Sequence, residues 1–279
     1  MKFDRPLIIA HRGASAFAPE NTLAAFQRAI DDGADGIEFD VRLAKDNIPV
    51  VFHDADLRRL TKIRTGVANL TAAELGEIDV GSWFDKAFPK YADGKFAAEK
   101  IPTLANLLEF LADYQGLLYL ELKSASAAMP ALVEAVCALI KRTNLLPNII
   151  VKSFKLEALK LVKLLLPAVR TAALFEPKIL TMLRKKQRIL EIARKYNADE
   201  ISIHYSLATE RFVRRARENG FETVIWTANN SVWVKRAVNF GIKAIITNQP
   251  APFLAERDKL LKKASVAAKR NANRQLKQH

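Results

Sequence analysis

Short apolar runs alternate along the chain with longer segments in which apolar residues recur every three or four positions. The short runs are typical of strands buried in a parallel sheet, and the longer period predicts amphipathic helices that cover it. The strand-like runs are Leu7–Ala10, Gly36–Val41, Leu117–Leu122, Ile149–Ser153, Arg170–Phe175, Glu200–His204, Thr223–Trp226 and Ala244–Thr247. The helix-like segments are Asn21–Asp32, Thr103–Tyr114, Ala127–Thr143, Lys155–Leu165, Ile189–Tyr196, Ala208–Asn219 and Ser231–Phe240. This alternation predicts an α/β fold with right-handed crossovers.

The eight strand-like runs favour closure into a TIM (β/α)8 barrel. The chain has 279 residues, and such a barrel takes roughly 250. An open sheet stays an alternative at this stage, because periodicity does not show closure. An extra strand-like run, Val50–His53, and a long polar stretch, Asp54 to Ile101, interrupt the alternation. We interpret 54–101 as a small subdomain inserted after the second strand, since connections this long are uncommon unless functional.

The net charge of +14 is concentrated in two segments. Lys178–Lys195 holds seven basic residues and one acid, and Glu256–His279 holds eight and two, so each carries +6. The remaining chain is therefore close to neutral, which weakens the interpretation that the whole surface binds nucleic acid. Solvated helix faces are the preferred interpretation of the two segments. Contact of the basic tail with an anionic membrane surface is the alternative.

Three further features bound the class of protein. The one cysteine, Cys137, excludes a disulfide framework and a multi-cysteine zinc site. No stretch has the roughly 18 uninterrupted apolar residues of a membrane span, and the N-terminal segment lacks the pattern of a secretory signal. We therefore expect a cytoplasmic protein.

Charged residues inside two of the predicted strands are the strongest chemical signal. Glu38 and Asp40 are two positions apart, as are Glu121 and Lys123, so each pair points to one face of its strand. Surface charge on a half-exposed sheet is the alternative, but parallel strands under helices are buried on both faces. We therefore expect these four residues to line the barrel near its carboxyl end, where active sites of this fold lie.

Three converging carboxylates repel one another unless a cation lies between them. Oxygen ligands suit Mg²⁺ or Ca²⁺ rather than zinc. His11 and His53 each end a strand-like run beside a charged residue, which makes them candidates for general acid/base catalysis. Arg12 offers a fork that matches phosphate oxygens, and Gly13 permits a tight turn after it.

Several motifs in order resemble the glycerophosphodiester phosphodiesterase family, of the bacterial cytoplasmic type. They are His11-Arg12-Gly13, Pro19-Glu20-Asn21-Thr22, Glu38-Phe39-Asp40-Val41, Val50-Val51-Phe52-His53-Asp54, Gly81-Ser82-Trp83-Phe84, Ile101-Pro102-Thr103-Leu104, Glu121-Leu122-Lys123, Ser153-Phe154, Trp226-Thr227 and Ile245-Ile246-Thr247. The resemblance runs from about Ile8 to Pro250 and implies a barrel with an inserted subdomain. We accordingly divide the chain into a phosphodiesterase TIM-barrel domain, 1–258, and a basic C-terminal tail, 259–279.

The resemblance also implies an activity and a set of roles. The activity is hydrolysis of glycerophosphodiesters to sn-glycerol 3-phosphate and an alcohol, with a small-molecule substrate and no nucleic acid. The implied roles are one divalent cation, Mg²⁺ or Ca²⁺, at Glu38, Asp40 and Glu121; acid/base catalysis by His11 and His53; phosphate binding by Arg12 and Lys123; and a channel wall at Trp226. Whether water or the substrate's own 2-hydroxyl is the nucleophile, and which histidine is the acid, stay open here.

Two residues near the first helix are expected to support the site. Asn21 is interpreted as the N-cap of that helix, and Glu20 as a partner that orients His11 or Arg12. Four positions differ from the family pattern: Asn47 replaces a turn glycine, Leu60 a threonine and Tyr119 an asparagine, and Asn248 follows Ile-Thr where aspartate is common. Asparagine tolerates the left-handed geometry of such a turn, whereas Asn248 removes a charge at the end of the last strand.

Two alternative functions are kept. The first is a lysophospholipase D-like phosphodiesterase at a membrane surface, with the same chemistry on a lipid substrate. The second, from another class, is a non-enzymatic basic protein that binds anions or nucleic acid. Turnover of lysophosphatidylcholine separates the first from the main prediction, and steeply salt-dependent binding of DNA or RNA identifies the second.

Overall fold

The computed structural model describes residues 5–177 and 187–276, with the side chains of 5–177 and 188–263. Positions 178–186 of the basic segment Lys178–Lys195 and the end of the basic tail lie outside this range. Within it, the part of the chain that the structure describes contains no helix long and apolar enough to cross a membrane.

Eight parallel strands form a closed barrel, and a ninth pairs antiparallel at its rim. The strands are β1 (Leu7–His11), β2 (Gly36–Leu43), β3 (Pro49–Val51), β4 (Leu117–Leu122), β5 (Ile149–Ser153), β6 (Arg170–Phe175), β7 (Glu200–His204), β8 (Glu222–Trp226) and β9 (Ala244–Thr247). Each parallel strand is hydrogen-bonded to its neighbours, and β1 closes the ring by pairing with both β2 and β9. The predicted TIM barrel is confirmed, and the open-sheet alternative is wrong.

Helices connect the barrel strands, build the insertion after β3 and follow the last strand. They are α1 (Leu23–Asp31), α2 (Arg58–Thr61), α3 (Ala72–Leu75), α4 (Ser82–Ala87), α5 (Leu104–Phe110), α6 (Met129–Ile140), α7 (Glu157–Leu165), α8 (Gln187–Lys195), α9 (Glu210–Glu218), α10 (Val232–Phe240) and α11 (Pro250–Leu276). The predicted helices are each present, and all but α8 are shorter than predicted because capping and loop residues fall inside the predicted ranges. The last helix runs continuously across the predicted boundary at residue 258, and the division into domain and tail stays a prediction.

Strand alternation separates the barrel interior from the helix-covered face. Ile37, Phe39 and Leu120 pack outward against the helices in one large apolar core. The opposite positions fill the barrel with a layer that includes Tyr119 and Ile246. At the amino ends of the strands, a buried charge network is centred on Glu200. The candidate active site lies at the opposite end, at the carboxyl ends of the strands.

The Glu200 carboxylate has several polar partners at the amino ends of the strands. It accepts a hydrogen bond from the Tyr119 hydroxyl at 2.9 Å and another from Lys243 Nζ at 2.6 Å. Arg170 Nη1 lies 3.7 Å from the same carboxylate. A buried charge needs such partners, and this network therefore belongs to the structure of the barrel floor rather than to its mouth.

The polar stretch after β3 forms a compact insertion made of short helices. Apolar residues such as Leu57, Val67 and Leu75 pack with Val50 and Phe52 of the hairpin in a separate small core. Short single-turn 3₁₀ segments at Val67–Asn69, Pro89–Tyr91 and Phe96–Ala98 link these helices. The insertion therefore covers the barrel at the end of β2 and β3, as the sequence predicts.

Backbone geometry at two turns agrees with the sequence. Asn47 takes a left-handed φ of 61° in the turn between β2 and β3, a conformation that asparagine tolerates. Gly241 has φ 77° and ends α10 in the left-handed conformation expected of a cap. The extra strand is shorter than predicted: β3 ends at Val51, and Phe52 and His53 already belong to the following loop.

Candidate active site

Three carboxylates meet at the carboxyl ends of β2 and β4. Glu38 and Asp40 point into the barrel from alternate positions of β2, and Glu121 stands opposite Asp40 in the strand register. One oxygen from each of the three lies within 4.8 Å of the others. All three residues are buried. Period-two spacing in neighbouring parallel strands is therefore sufficient to bring them to one point.

Two lysines compensate the negative charge of this cluster. Lys152 Nζ lies 2.6 Å from Glu38 Oε1 and 3.5 Å from Glu121 Oε2. Lys123 Nζ lies 2.7 Å from Glu121 Oε1 and 3.3 Å from Asp40 Oδ1. The sequence analysis expected Lys123 here but missed Lys152. Its signal was the same as that of the carboxylates, a charge at an inward position of a buried parallel strand.

The electrostatic environment shifts the pKa values of the three carboxyl groups in different directions. Burial by itself raises the pKa of a carboxyl group. At Asp40 the attraction of Arg12 and Lys123 outweighs burial and holds the pKa well below its usual range. At Glu38 the attraction of Lys152 outweighs burial, and the pKa is also lowered. Both groups are therefore ionised at neutral pH.

Glu121 differs from the other two carboxyls. Burial raises its pKa, and the attraction of Lys152 does not reverse the shift because Asp40 repels the charged form. Ionisation of Glu121 is therefore less favourable than ionisation of Glu38 or Asp40. A cation placed between the three oxygens removes that disadvantage, since it favours the ionised form of every carboxyl that it touches.

The cluster offers oxygen ligands for a hard cation. A buried oxygen of each carboxylate, Glu38 Oε1, Asp40 Oδ1 and Glu121 Oε1, is contacted by a lysine ammonium group. Carboxylate oxygens in this number suit Mg²⁺ or Ca²⁺. The residues present therefore fit a divalent cation.

Arg12 is locked against this cluster by a strained turn. Its guanidinium contacts Asp40 Oδ2 at 3.1 Å and Glu20 Oε1 at 2.8 Å, and its backbone N–H donates to Glu38 Oε2 at 3.1 Å. Arg12 has φ 56° and Gly13 has φ 80°. A Cβ at Gly13 would lie 2.6 Å from the Ala25 carbonyl group, so the close approach to α1 requires glycine.

The two predicted histidines are each held through Nδ1. His11 Nδ1 lies 2.7 Å from Asn248 Oδ1, and His53 Nδ1 lies 2.7 Å from Asp54 Oδ1. Both partner atoms are acceptors, so each Nδ1 carries the proton and each Nε2 is the free acceptor. His11 Nε2 lies 3.8 Å from Glu38. Burial lowers the pKa of His11 although Glu38 raises it, so its neutral form is favoured.

Arg59 of the insertion contacts both Glu20 and Asp54. Its guanidinium binds Glu20 through Nη1 and Nη2 at 2.9 and 2.7 Å, and its Nε donates to Asp54 Oδ2 at 2.5 Å. Glu20 thereby joins Arg59 to Arg12, and Asp54 joins Arg59 to His53. Glu20 contacts Arg12, and its role in orienting that side chain stays a prediction. Arg59 was missed, because no local spacing connects it with residues so distant in the chain.

Asn21 corrects one expectation from the sequence. The cap of α1 is Thr22, whose side chain accepts a hydrogen bond from the Ala25 N–H. Asn21 precedes it with φ 59°, and its Nδ2 donates to Asp40 Oδ2 at 3.0 Å. The N-cap assignment to Asn21 is therefore wrong, because its side chain points to the carboxylate cluster instead of the helix. Its place beside the cluster agrees with its grouping with the site.

Trp226 ends β8 at the barrel mouth, among other aromatic rings. It makes edge-to-face contacts with Phe154 at 5.4 Å and His204 at 5.5 Å between ring centroids. Lys123 Nζ stands 6.0 Å from the centroid of the Phe154 ring. An apolar wall therefore begins next to the charged cluster. The structure thus brings every predicted site residue to the carboxyl end of the barrel.

Comparison with known proteins identifies the family. Residues 11–251 match the Glycerophosphoryl diester phosphodiesterase family. The chain belongs to this family. A glycerophosphodiester phosphodiesterase of Caldanaerobacter subterraneus subsp. tengcongensis is 33% identical over 88% of this chain and 95% of its own. Another from Bacillus subtilis is 32% identical over 90% and 86%. The prediction of an enzyme of the glycerophosphodiester phosphodiesterase family is therefore confirmed.

Solved structures of the glycerophosphodiester phosphodiesterase family agree in fold. A phosphodiesterase of Oleispira antarctica, determined in complex with its product sn-glycerol-3-phosphate, is 28% identical with a TM-score of 0.79 and covers 91% of this chain and 97% of its own. A glycerophosphodiester phosphodiesterase of Agrobacterium tumefaciens is 27% identical with a TM-score of 0.72 and covers 90% and 99%. The barrel with its acidic cluster thus belongs to a fold that this family shares.

Proposed function

We propose that this chain hydrolyses glycerophosphodiesters to sn-glycerol 3-phosphate and an alcohol. The observation that carries the proposal is the cluster of Glu38, Asp40 and Glu121, whose oxygens lie within 4.8 Å of one another beside two anchored histidines. A small anionic phosphodiester is the substrate class that a cation, an arginine and a lysine at one point can neutralise. The family of the chain and the product bound to the Oleispira antarctica relative support the choice.

One divalent cation, Mg²⁺ or Ca²⁺, is proposed as cofactor with Glu38, Asp40 and Glu121 as its protein ligands. When bound, such a cation polarises the phosphoryl group and stabilises negative charge that develops on its oxygens. One oxygen from each carboxylate, the three lying within 4.8 Å of one another, is proposed as a ligand atom. Lys152 contacts Glu38 and Glu121, and its attraction lowers the pKa of the Glu38 carboxyl group.

His11 and His53 are proposed as the acid/base pair. Each imidazole is oriented by a hydrogen bond at Nδ1, so that Nε2 is the atom that takes or gives a proton. One histidine removes the proton of the nucleophile, and the other protonates the leaving alkoxide. Asp54 is in turn held by Arg59, so the orientation of His53 depends on the insertion.

Arg12, Lys123 and Trp226 are proposed to bind the substrate around the phosphoryl group. Arg12 is fixed by Glu20 and Asp40, so little side-chain freedom is lost when it binds phosphate oxygens. Lys123 already bridges Asp40 and Glu121, and it supplies a second positive charge. Trp226 forms the apolar wall for the carbon atoms of the substrate.

The decisive experiment measures release of sn-glycerol 3-phosphate from glycerophosphocholine and from glycerophosphoinositol. The assay is run after EDTA treatment and again with added Mg²⁺ or Ca²⁺. We expect turnover that EDTA abolishes and a divalent cation restores, and loss of turnover in His11→Ala. Absence of turnover with every metal tested contradicts the proposed function.

The lysophospholipase D-like alternative uses the same residues on a lipid substrate. A higher kcat/KM for lysophosphatidylcholine than for glycerophosphocholine would favour it. A cytoplasmic location, absence of nucleic-acid binding and contact of the basic tail with anionic membranes stay predictions. Binding of the purified chain to anionic vesicles and to duplex DNA over a range of salt concentrations tests the last two.

A further inference from the structure

A positively charged groove adjoins the carboxylate cluster. Its volume is about 330 Å³, and it lies between the β2–β3 hairpin, the insertion and the segment that follows β4. This volume is within the range of ligand pockets, roughly 300–1,000 Å³. The lining contains Arg42, Lys45 and Lys123, and none of the lining residues that the structure describes is Asp or Glu. We call this the basic groove.

Arg42 is the central cation of the basic groove. It is two positions after Asp40 on β2, so both side chains belong to the same face of the strand. Its Nε donates to the backbone carbonyl of His53 at 2.8 Å. Among the described residues it forms no ion pair with any carboxylate, although it is half-buried. Its terminal NH₂ groups therefore have no carboxylate at ion-pair distance, although Asp40, Asp54 and Glu121 attract the guanidinium from farther away.

The basic groove is connected to the catalytic centre by two residues. Lys123 belongs to the groove lining, and its Nζ contacts Glu121 at 2.7 Å. Arg42 contacts the backbone of His53, which is proposed for acid/base catalysis. Lys45 is an exposed residue of the groove lining. A substrate whose phosphodiester lies at the cluster can therefore extend its alcohol portion along this row of cations.

We propose that the basic groove binds a second anionic group, a phosphate monoester, on the alcohol portion of the substrate. This inference rests on the proposed function and adds the substrate class. The guanidinium fork of Arg42 matches phosphate oxygens, and Lys45 adds a point charge. A cationic alcohol such as choline meets three like charges there. The enzyme is thus selective for glycerophosphodiesters whose alcohol is itself phosphorylated.

The experiment uses a substrate pair that differs by one phosphate. The kcat/KM for release of sn-glycerol 3-phosphate is measured for glycerophosphoinositol 4-phosphate and for glycerophosphoinositol, in the presence of the divalent cation. We expect the ratio of the two values to exceed roughly ten for the unaltered chain and to fall as salt is added, because salt screens partly exposed charges. Arg42→Gln should lower the ratio at least about fivefold, mainly through KM of the phosphorylated substrate.

Two further variants sharpen the test. Lys45→Gln removes an exposed cation without touching His53, and it should lower the ratio in the same direction by a smaller factor. Arg211→Gln is the matched control, because Arg211 is exposed on α9 and forms no hydrogen bond or ion pair within the described residues. It should leave both kcat/KM values unchanged. Circular dichroism and thermal unfolding verify that each variant is folded.

The outcomes are distinguishable. Equal kcat/KM for the two substrates, or an equal loss on both in Arg42→Gln, overturns the inference while the proposed function stands. The equal loss would mean that Arg42 acts only by positioning His53. If the unaltered chain releases sn-glycerol 3-phosphate from neither substrate nor from glycerophosphocholine, the proposed function fails and the inference fails with it.

Discussion

Lys152 Nζ lies 2.6 Å from Glu38 Oε1 inside the barrel, and the lysine side chain is only 2% exposed. This ion pair connects β5 to β2 across the intervening β4, whose Glu121 also contacts the same ammonium group. The attraction of this buried cation lowers the pKa of Glu38 and partly offsets the effect of burial on the pKa of Glu121. The charge of the carboxylate cluster therefore affects the stability of the folded protein.

Replacing Lys152 by Met is expected to destabilise the metal-free enzyme strongly. Removal of one partner of a buried ion pair leaves uncompensated charge and typically costs about 3–5 kcal/mol. The free energy of unfolding should fall by that order in EDTA, and by less when Mg²⁺ or Ca²⁺ is present. Urea unfolding followed by circular dichroism measures both. The double variant Lys152→Met/Glu38→Gln should recover part of the loss, and an equal loss in both variants contradicts a role through charge.

Glu121→Gln is expected to weaken binding of the divalent cation while the fold stays intact. Partners outside the ligand set of a metal already contribute about 10- to 100-fold in affinity, so loss of a direct carboxylate ligand should cost at least about tenfold. Isothermal titration calorimetry of the EDTA-treated protein measures the change. Glu109→Gln on α5 is the matched control, since Glu109 is exposed and its side chain forms no ion pair among the described residues. Unchanged affinity in Glu121→Gln removes Glu121 from the ligand set.

Asn248→Ala is expected to lower kcat with little change in KM. Asn248 Oδ1 is 2.7 Å from His11 Nδ1, and a hydrogen bond of this kind contributes about 1 kcal/mol. Loss of that restraint lets the imidazole rotate, so kcat should fall about 5- to 10-fold. Asn248→Asp retains an acceptor at the same atom and should keep most of the activity. A loss in Asn248→Asp as large as in Asn248→Ala would show that orientation through this acceptor is not the cause.

Cys137 is expected to be unreactive in the folded protein at neutral and mildly alkaline pH. Burial raises the pKa of its thiol to about 11. Because the thiolate is the reactive form, at pH 8 only about one thiol in a thousand is ionised, and reactivity rises as the pH approaches the pKa. DTNB should therefore label the native enzyme negligibly and should label one thiol after denaturation in guanidinium. Rapid labelling of the native state at pH 8, with activity retained, contradicts this prediction.

Inward charges on strands are the part of the site that local pattern predicts well. Glu38, Asp40 and Glu121 were found because a period of two in a buried parallel strand has a direct geometric meaning. Lys152 satisfies the same rule within β5 and was overlooked because it is the single charge of its run. Asn21 shows the limit of local rules, since a good capping residue was drawn to Asp40 and Thr22 took the cap.

The order of strands and helices, the insertion and the inward carboxylates were determined by the sequence through local periodicity. The closure of the barrel through β1 and β9 was decided only by the tertiary structure, and so were the contacts that closure makes. His11 meets Asn248, and Arg59 meets Glu20, across 237 and 39 positions of the chain. Local spacing carries no information about such pairs, because twist and closure of the whole barrel set which strand ends become neighbours.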